Sequence, residues 1–279
     1  HMGVMTTDYL RLLDTEKIVF SLDSTPRGAG PRLAYFMNFG GPVVTAETLC
    51  SSSLVAFHFA AGDMRSGRTS LSVTGGLSVI LGSFVTDFYA KVGSLSSNGR
   101  CKTFDARGDG LARGEGVLTA VLESLESMRA RGRGAESAMA VVMGSDVNHG
   151  GRSAGLAAPN GPAHQALIRQ AQRNAGVLPG SVSHVELHGT GTALGDPIEA
   201  NALARVFADS ATGSVSVSSI KTNIGHTEAA AGIAGLLKVV LQFSRRSLVP
   251  SLHYHQPNEL IPIGEIALRV QERLSSWDG

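Results

Sequence analysis

The chain has 279 residues, with 24 Lys and Arg against 23 Asp and Glu and a formal net charge of +1. That balance supplies no basic stripe for a nucleic-acid partner, and no apolar run reaches membrane-spanning length. The two cysteines make no disulfide scaffold and suit a reducing compartment, so a cytoplasmic setting without a secretory leader is expected.

The opening His-Met pair reads as a cloning remnant, and residues 3–30 as mixed and turn-rich, ending in STPRGAG. PRLAYFMNFGG, from Pro31, is apolar but interrupted, a short helix or a strand entering a core. GPVVTAE reads as a strand because Val43, Val44 and Thr45 are β-branched. Leu54, Phe57, Ala61 and Met64 then recur at helical spacing, which places a helix after Cys50. SLSVTGGLSVIL, from Ser70, is read as a buried strand with a central glycine pair, and Phe84 to Cys101 as less regular. GVLTAVLESLESMRARG starts as a strand and continues as a charged helical or connecting portion. AMAVVMGSDVN, from Ala138, is a further strand candidate. NGPAHQALIRQAQRNAG is a helix with proline near its start and Gly176 at its stop. SHVELHG and SVSVSSIK read as strands, with the helix DPIEANALARVFA between them, opened near Pro197. GIAGLLKVVLQF is nearly all apolar, hence a helix buried between layers. Strands alternating with helices point to an α/β layered fold, with two related halves meeting near residue 100.

Cys50 lies in ETLCSSSLVAFHFAAG, directly before that first helix. It is either an inert core thiol or a nucleophile whose thiolate gains from the helix N-terminus and a nearby imidazole. Cys101, in GRCKTFDARGDG, lacks such a helix start and reads as structural. His188, in VELHGTGTALGDP, and His226, in IKTNIGHTEAAAG, occupy matching glycine-flanked loops at strand ends, where α/β folds place ligand and catalytic groups. Lys221 and Glu228 are either surface charges, the usual fate of such residues, or, since Lys221 ends a strand and Glu228 opens the buried helix, members of a buried ion pair or a contact orienting His226. Asp196 and Glu199 fit the dipole of the helix they open. GTGTALGDP matches neither the phosphate-loop nor the dinucleotide spacing, and both nucleotide readings are rejected. The remaining histidines lack metal-ligand spacing, and His58 packs on its own helix.

VTAETLCSSSL, VELHGTGTALGDPIEA and SIKTNIGHTEAAAGIAGLLK resemble the three active-site blocks of β-ketoacyl synthases, and best those of the ketosynthase domains of type I polyketide synthases. CKTFDARGDGLARGEGV and GLAAPNGPAHQALIRQA resemble further motifs between them, so the likeness runs over most of residues 31–255. The resemblance implies a thiolase-like αβαβα fold of two halves: residues 3–100 with the nucleophile, and 101–279 with both histidine motifs. It implies decarboxylative condensation of an acyl thioester on Cys50 with a malonyl-type extender. His188 and His226 stabilise charge, with Lys221 and Glu228 in support. No cofactor is bound directly, because substrates ride on the phosphopantetheine of an acyl-carrier protein. The implied partners are that carrier, neighbouring polyketide synthase domains and a second copy in a homodimer, with no nucleic acid, membrane or metal. A noncatalytic carrier-binding module and a cysteine-dependent acyl hydrolase or acyltransferase are the alternative readings. Leu49, Glu47 and Leu111 depart from the usual Ala, Asp and Tyr of the family. The family's N-terminal glycine-rich strand region and its C-terminal block ending in Asn-Ala-His find no match in this chain.

Overall fold

A computed structural model describes residues 1–5, 26–155 and 158–277, so the reading of 6–25 lies outside the described residues. The chain packs as two units, each gathered from separate stretches of sequence. One takes His1–Val92, Arg113–Ala138 and Thr227–Leu237, and the other Gly93–Ala112, Met139–His226 and Lys238–Gly279.

The first unit holds strands β1 (Met2–Gly3), β2 (Thr45–Ala46), β3 (Leu71–Ser78) and β4 (Gly116–Glu123), in the order β2-β1-β3-β4. β1 runs parallel to both neighbours, and β3 pairs antiparallel with β4 from Leu71↔Glu123 to Ser78↔Gly116. The opening His-Met pair is packed into this sheet, with the terminal amine of His1 donating to the Val73 carbonyl at 2.8 Å. Only Thr45 and Ala46 of GPVVTAE join a ladder, because β-branched composition favours an extended chain but pairing needs a neighbour. PRLAYFMNFGG resolves as part of helix Ala29–Met37, stopped by Asn38 in the left-handed region at φ 51°. The stretch after Phe84, read as irregular, begins with helix Phe84–Lys91, whose Val85 is buried. Along β4 the inward residues Leu118, Ala120 and Leu122 pack on Phe57, Ala230 and Ile233, while Val117 and Val121 face outward, the period of two that a half-buried strand requires.

The glycine pair of β3 has a steric cause. A Cβ on Gly76 would come within 2.8 Å of the Ser53 Cβ and 2.9 Å of the Ala229 carbonyl. Only a bare backbone lets the strand, the start of helix Ser52–Arg65 and the turn at 229–230 close on one another.

The second unit holds β5 (His184–Glu186), β6 (Val215–Ser218), β7 (Ser247–Leu248), β8 (Leu268–Val270) and β9 (Ser275–Ser276). β5, β6 and β8 form a parallel sheet in that order, and β7 pairs antiparallel with β9. Helix Gly161–Ala175 stops where its sequence indicates, with Gly176 closing it at φ 67°, and the Asn160 side chain caps its start by accepting from the Ala163 N–H at 3.1 Å. Helix Gly195–Val206 lends Ala200 and Leu203 to a core with Phe104, Phe207, Val217, Ile261 and Leu268. Each phenylalanine there, essentially without solvent exposure, contributes on the order of 2 kcal/mol.

Two expectations need correction. AMAVVMGSDVN forms no strand; Val141, Val142 and Met143 stay exposed, since strand propensity without a ladder partner gives no sheet. Helix Ala231–Arg245 is covered all round at its start only; farther along, Lys238 and Gln242 are buried on one face while Leu241 and Phe243 are exposed. Apolar character all round a helix calls for cover on every side, and here the cover follows the core at Ile233.

Candidate functional site

In the first unit, Cys50 sits at the centre of a 3-10 turn, Leu49–Ser51, that leads directly into helix Ser52–Arg65. The three serines after it hold this turn. Ser51 Oγ donates to the Thr48 carbonyl at 2.8 Å. Ser52 Oγ accepts from the Thr48 N–H at 2.9 Å and donates to the Leu49 carbonyl at 2.6 Å. Ser53 Oγ accepts from the Ile233 N–H at 3.1 Å. Ser52 and Ser53 are fully buried, so the half-buried Cys50 stands on a fixed base at the positive end of a helix dipole. Leu49 lies at φ 56° with its side chain 66% exposed. A left-handed conformation in a branched residue costs about 1–2 kcal/mol, strain of a kind that gathers at functional turns.

Glu228, expected to join an ion pair or to orient His226, forms its pair with Arg113. The guanidinium meets the carboxylate with both forks, Nε to Oε1 at 2.6 Å and Nη2 to Oε2 at 3.0 Å, and the two side chains are only 6% and 4% exposed. Arg113 Nη1 also donates to Thr86 Oγ1 at 2.9 Å, and Ser78 Oγ to Glu228 Oε2 at 3.4 Å. Glu228 itself is at φ 45°. Sequence reasoning misses Arg113; its one local signal is that it and Glu115 are charges set among the small residues that lead into β4. Burial first, then the negative charges of Cys50 and Glu228, push the Tyr89 hydroxyl up to about 12, so it stays a neutral donor at the nucleophile's side of this unit.

In the second unit, His188 and His226 come together, their rings 5.4 Å apart and nearly perpendicular at 86°. His226 is buried, and its N–H donates to the Ala112 carbonyl at 2.7 Å. The His188 loop is pinned by a carboxylate: Glu199 accepts from the His188 and Gly189 N–H groups at 2.7 and 2.8 Å. Asp196 accepts from Phe104 at 2.8 Å and Gly191 at 3.1 Å. Glu199 and Asp196 thus anchor the loop besides suiting the helix dipole. Burial pushes both carboxyls up, Asp196 to about 7 against the pull of its amide donors. Gly189, at φ 45°, has no room for a Cβ, which would stand 2.6 Å from Thr103 Cγ2.

His188 is exposed; desolvation by its surroundings and the cation of Lys221 push its pKa down from the usual value, so the imidazole is neutral near pH 7. Lys221 is buried, but it opens the short helix Lys221–Ile224 and does not end β6. The turn intervenes because Thr222 Oγ1 and the Asn223 N–H fold back onto the Ser219 and Ile220 carbonyls, at 2.8 and 2.9 Å. Cys101 is structural: its sulfur accepts from the Ala112 N–H at 3.2 Å, and burial pushes the thiol up. Among the described residues no three His, Cys, Asp or Glu side chains gather as metal ligands, and no helix is long and apolar enough to cross a membrane.

The only tryptophan, Trp277, stacks on Phe243 at 4.4 Å and meets His184 edge-on at 5.6 Å. Burial and the nearby Lys238 cation push His184 down to about 4. Emission from Trp277 is therefore expected to be quenched as pH falls through about 4, where the ring becomes charged; a midpoint near 6.5 would show the ring to be solvated. Because His184 binds its proton more weakly folded than unfolded, its own contribution to stability is fully present above about pH 6.5 and is lost as pH drops from there toward 4. Urea melts of wild type and His184→Gln at several pH values check that difference, which cancels the opposite dependence of the raised carboxyl Asp196.

These features describe a mixed α/β protein with two subdomains, one presenting a cysteine at a helix start and the other a histidine pair on two loops, His188 just past β5 and His226 just past the short helix Lys221–Ile224. The family model of the β-ketoacyl synthase N-terminal domain matches residues 1–128, and that of the C-terminal domain matches 139–255. The chain belongs to the β-ketoacyl synthase family, in the thiolase-like ketosynthase class of polyketide synthases. It is 47% identical over 280 residues to erythronolide synthase EryA2 of Saccharopolyspora erythraea, covering 99% of this chain and 8% of the relative. It is 43% identical over 248 residues to a phenolphthiocerol/phthiocerol polyketide synthase of Mycobacterium tuberculosis, covering 88% and 13%. Among solved structures, the oxazolomycin ketosynthase domain OzmH KS7 of Streptomyces albus superposes with a TM-score of 0.91 at 36% identity, over 99% of this chain and 49% of that one. The ketosynthase from module 6 of the bacillaene synthase of Bacillus subtilis gives 0.91 at 35%, over 100% and 49%. The chain thus spans about half the length of those ketosynthase structures and a small part of the curated synthases.

Proposed function

We propose that this chain carries the condensing step of a polyketide synthase: decarboxylative Claisen condensation of an acyl group with a malonyl-type extender. The observation that supports it most is the perpendicular pair His188 and His226 on loops held by buried carboxylates, with His188 kept neutral. In this reading Cys50 Sγ attacks a donor thioester, the S–C bond forms, and the donor thiol leaves with the proton. The extender then sheds carbon dioxide, and its electron pair moves into an enolate whose oxygen takes N–H donors from the two imidazoles. The enolate carbon attacks the Cys50 acyl carbonyl, the thiolate of Cys50 is expelled, and a β-ketoacyl thioester remains on the carrier. Lys221 and Glu228 support from behind, the first through its field on His188 and the second through the Arg113 pair.

The carrier's phosphopantetheine arm, the neighbouring synthase domains, a homodimer and a cytoplasmic setting belong to the same proposal, as do the two halves divided near residue 100. Identity to multidomain synthases favours the carrier and the neighbours. The exposed aromatic residues Tyr35 and Phe36 on helix Ala29–Met37 are compatible with a covered face in an assembly. Incubation with a short acyl thioester followed by malonyl-carrier tests the chemistry. A mass gain on Cys50 followed by a β-ketoacyl-carrier supports condensation. Steady release of free acid without chain growth would replace this reading by a hydrolase, and carrier binding without any Cys50 adduct by an interaction module.

A further inference from the structure

Beneath the strand that leads to His188 lies a second buried ion pair, to which the sequence pattern attaches no role. Glu186 closes β5 opposite Ser218 of β6, and Lys238 reaches both from helix Ala231–Arg245. Lys238 Nζ stands 2.6 Å from Glu186 Oε2 and 2.6 Å from Ser218 Oγ, with the lysine and glutamate side chains only 5% and 11% exposed. The other carboxylate oxygen, Oε1, accepts the Ile220 N–H at 2.5 Å. One carboxylate therefore grips two loops: Glu186 is two residues before His188, and Ile220 directly precedes Lys221 on the way to His226.

Stability alone is a poor reason for this arrangement. Burial pushes Glu186 up and Lys238 down, which is the cost of desolvation in both partners. Well-packed apolar side chains of similar volume often replace such a pair at no loss of stability. What they cannot replace is direction, because only a carboxylate here accepts the Ile220 N–H and an ammonium at once. The two imidazoles stand edge to face at 5.4 Å, an arrangement that a small slide of one loop against the other would undo.

We propose that Glu186 and Lys238 are positioning residues that set the spacing of the His188 and His226 rings, and so tune the extender half of the reaction without affecting acyl loading on Cys50. The kinetic part rests on the condensing function proposed above; the spacing part does not. The test uses Glu186→Gln, Lys238→Met and, because each single change strands a buried group, the apolar double variant Glu186→Leu/Lys238→Met. Trp277 emission and Tm report whether each folds. In the double variant, acylation of Cys50 is expected to stay within about twofold. Condensation kcat should fall about 10- to 100-fold with KM for the malonyl-carrier little changed, the size of effect that misplacing a reacting group produces. The imidazole nitrogen resonances of His188 and His226, assigned with His→Ala variants, should move. Unmoved resonances in a folded double variant overturn the inference, whether or not the wild type condenses. Condensation within twofold of wild type, or a parallel loss of acylation, would also overturn it. A wild type that loads Cys50 but never condenses would sink the functional reading, and the resonances would still decide the spacing.

Discussion

Replacing Cys50 by alanine is expected to remove acyl transfer onto the protein and lower carbon–carbon bond formation by about 10,000-fold or more. The reason is that no second thiol can take its place. Cys101, the other cysteine, is 1% exposed, holds the Ala112 backbone against its sulfur, and is pushed toward the protonated thiol by burial. Cys50 instead stands half-buried on a turn braced by Ser51, Ser52 and Ser53. Intact and peptide mass spectrometry after exposure to an acyl thioester checks this: the wild type gains one acyl group at Cys50 and the variant gains none. Carbon dioxide release from a malonyl thioester should persist in Cys50→Ala, since that half of the proposed reaction uses the histidine pair of the other unit. Acylation of the variant at another residue would remove Cys50 from its assigned role.

Removing the carboxylate of Glu228 is the second large effect. Glu228→Leu leaves the Arg113 guanidinium, 6% exposed, without its bidentate partner. Stranding one member of a buried pair costs about 3–5 kcal/mol. For a chain of this size that corresponds to a fall in Tm of roughly 10 °C. Arg113→Met/Glu228→Leu should recover much of the loss, because it strands no charge. The pair also ties helix Phe84–Lys91, through Thr86, to the turn that opens helix Ala231–Arg245, so acyl loading should slow in Glu228→Leu more than in the double variant. Calorimetry of wild type, Arg113→Met, Glu228→Leu and the double variant checks the cycle. A Glu228→Leu Tm within about 2 °C of wild type would show that solvent reaches Arg113.

The elements around the site are legible where their signals are local. The early proline and Gly176 mark one helix because a preset first turn and a left-handed closure act within a turn. The spacing of Phe57 and Ala61 marks the helix after Cys50, and the alternating valines and serines of 215–218 mark a central strand. Where local preference meets no partner the reading fails. Residues 139–147 have the composition of a strand and form none, and helix Phe84–Lys91 lies in a stretch whose pattern looks irregular.

From the sequence alone follow the motif blocks, the candidates Cys50, His188 and His226, and the family to which the chain belongs, since residue type and order carry that information directly. Only the tertiary structure decides what stands beside them. It brings His188 and His226 within 5.4 Å across 38 residues of chain, joins Arg113 to Glu228 across 115 and Glu186 to Lys238 across 52, and explains each of the three serines after Cys50. The physical reason is one of range. Propensity and capping act over a few residues, whereas burial, charge pairing and the spacing of two imidazoles depend on which distant segments close on each other.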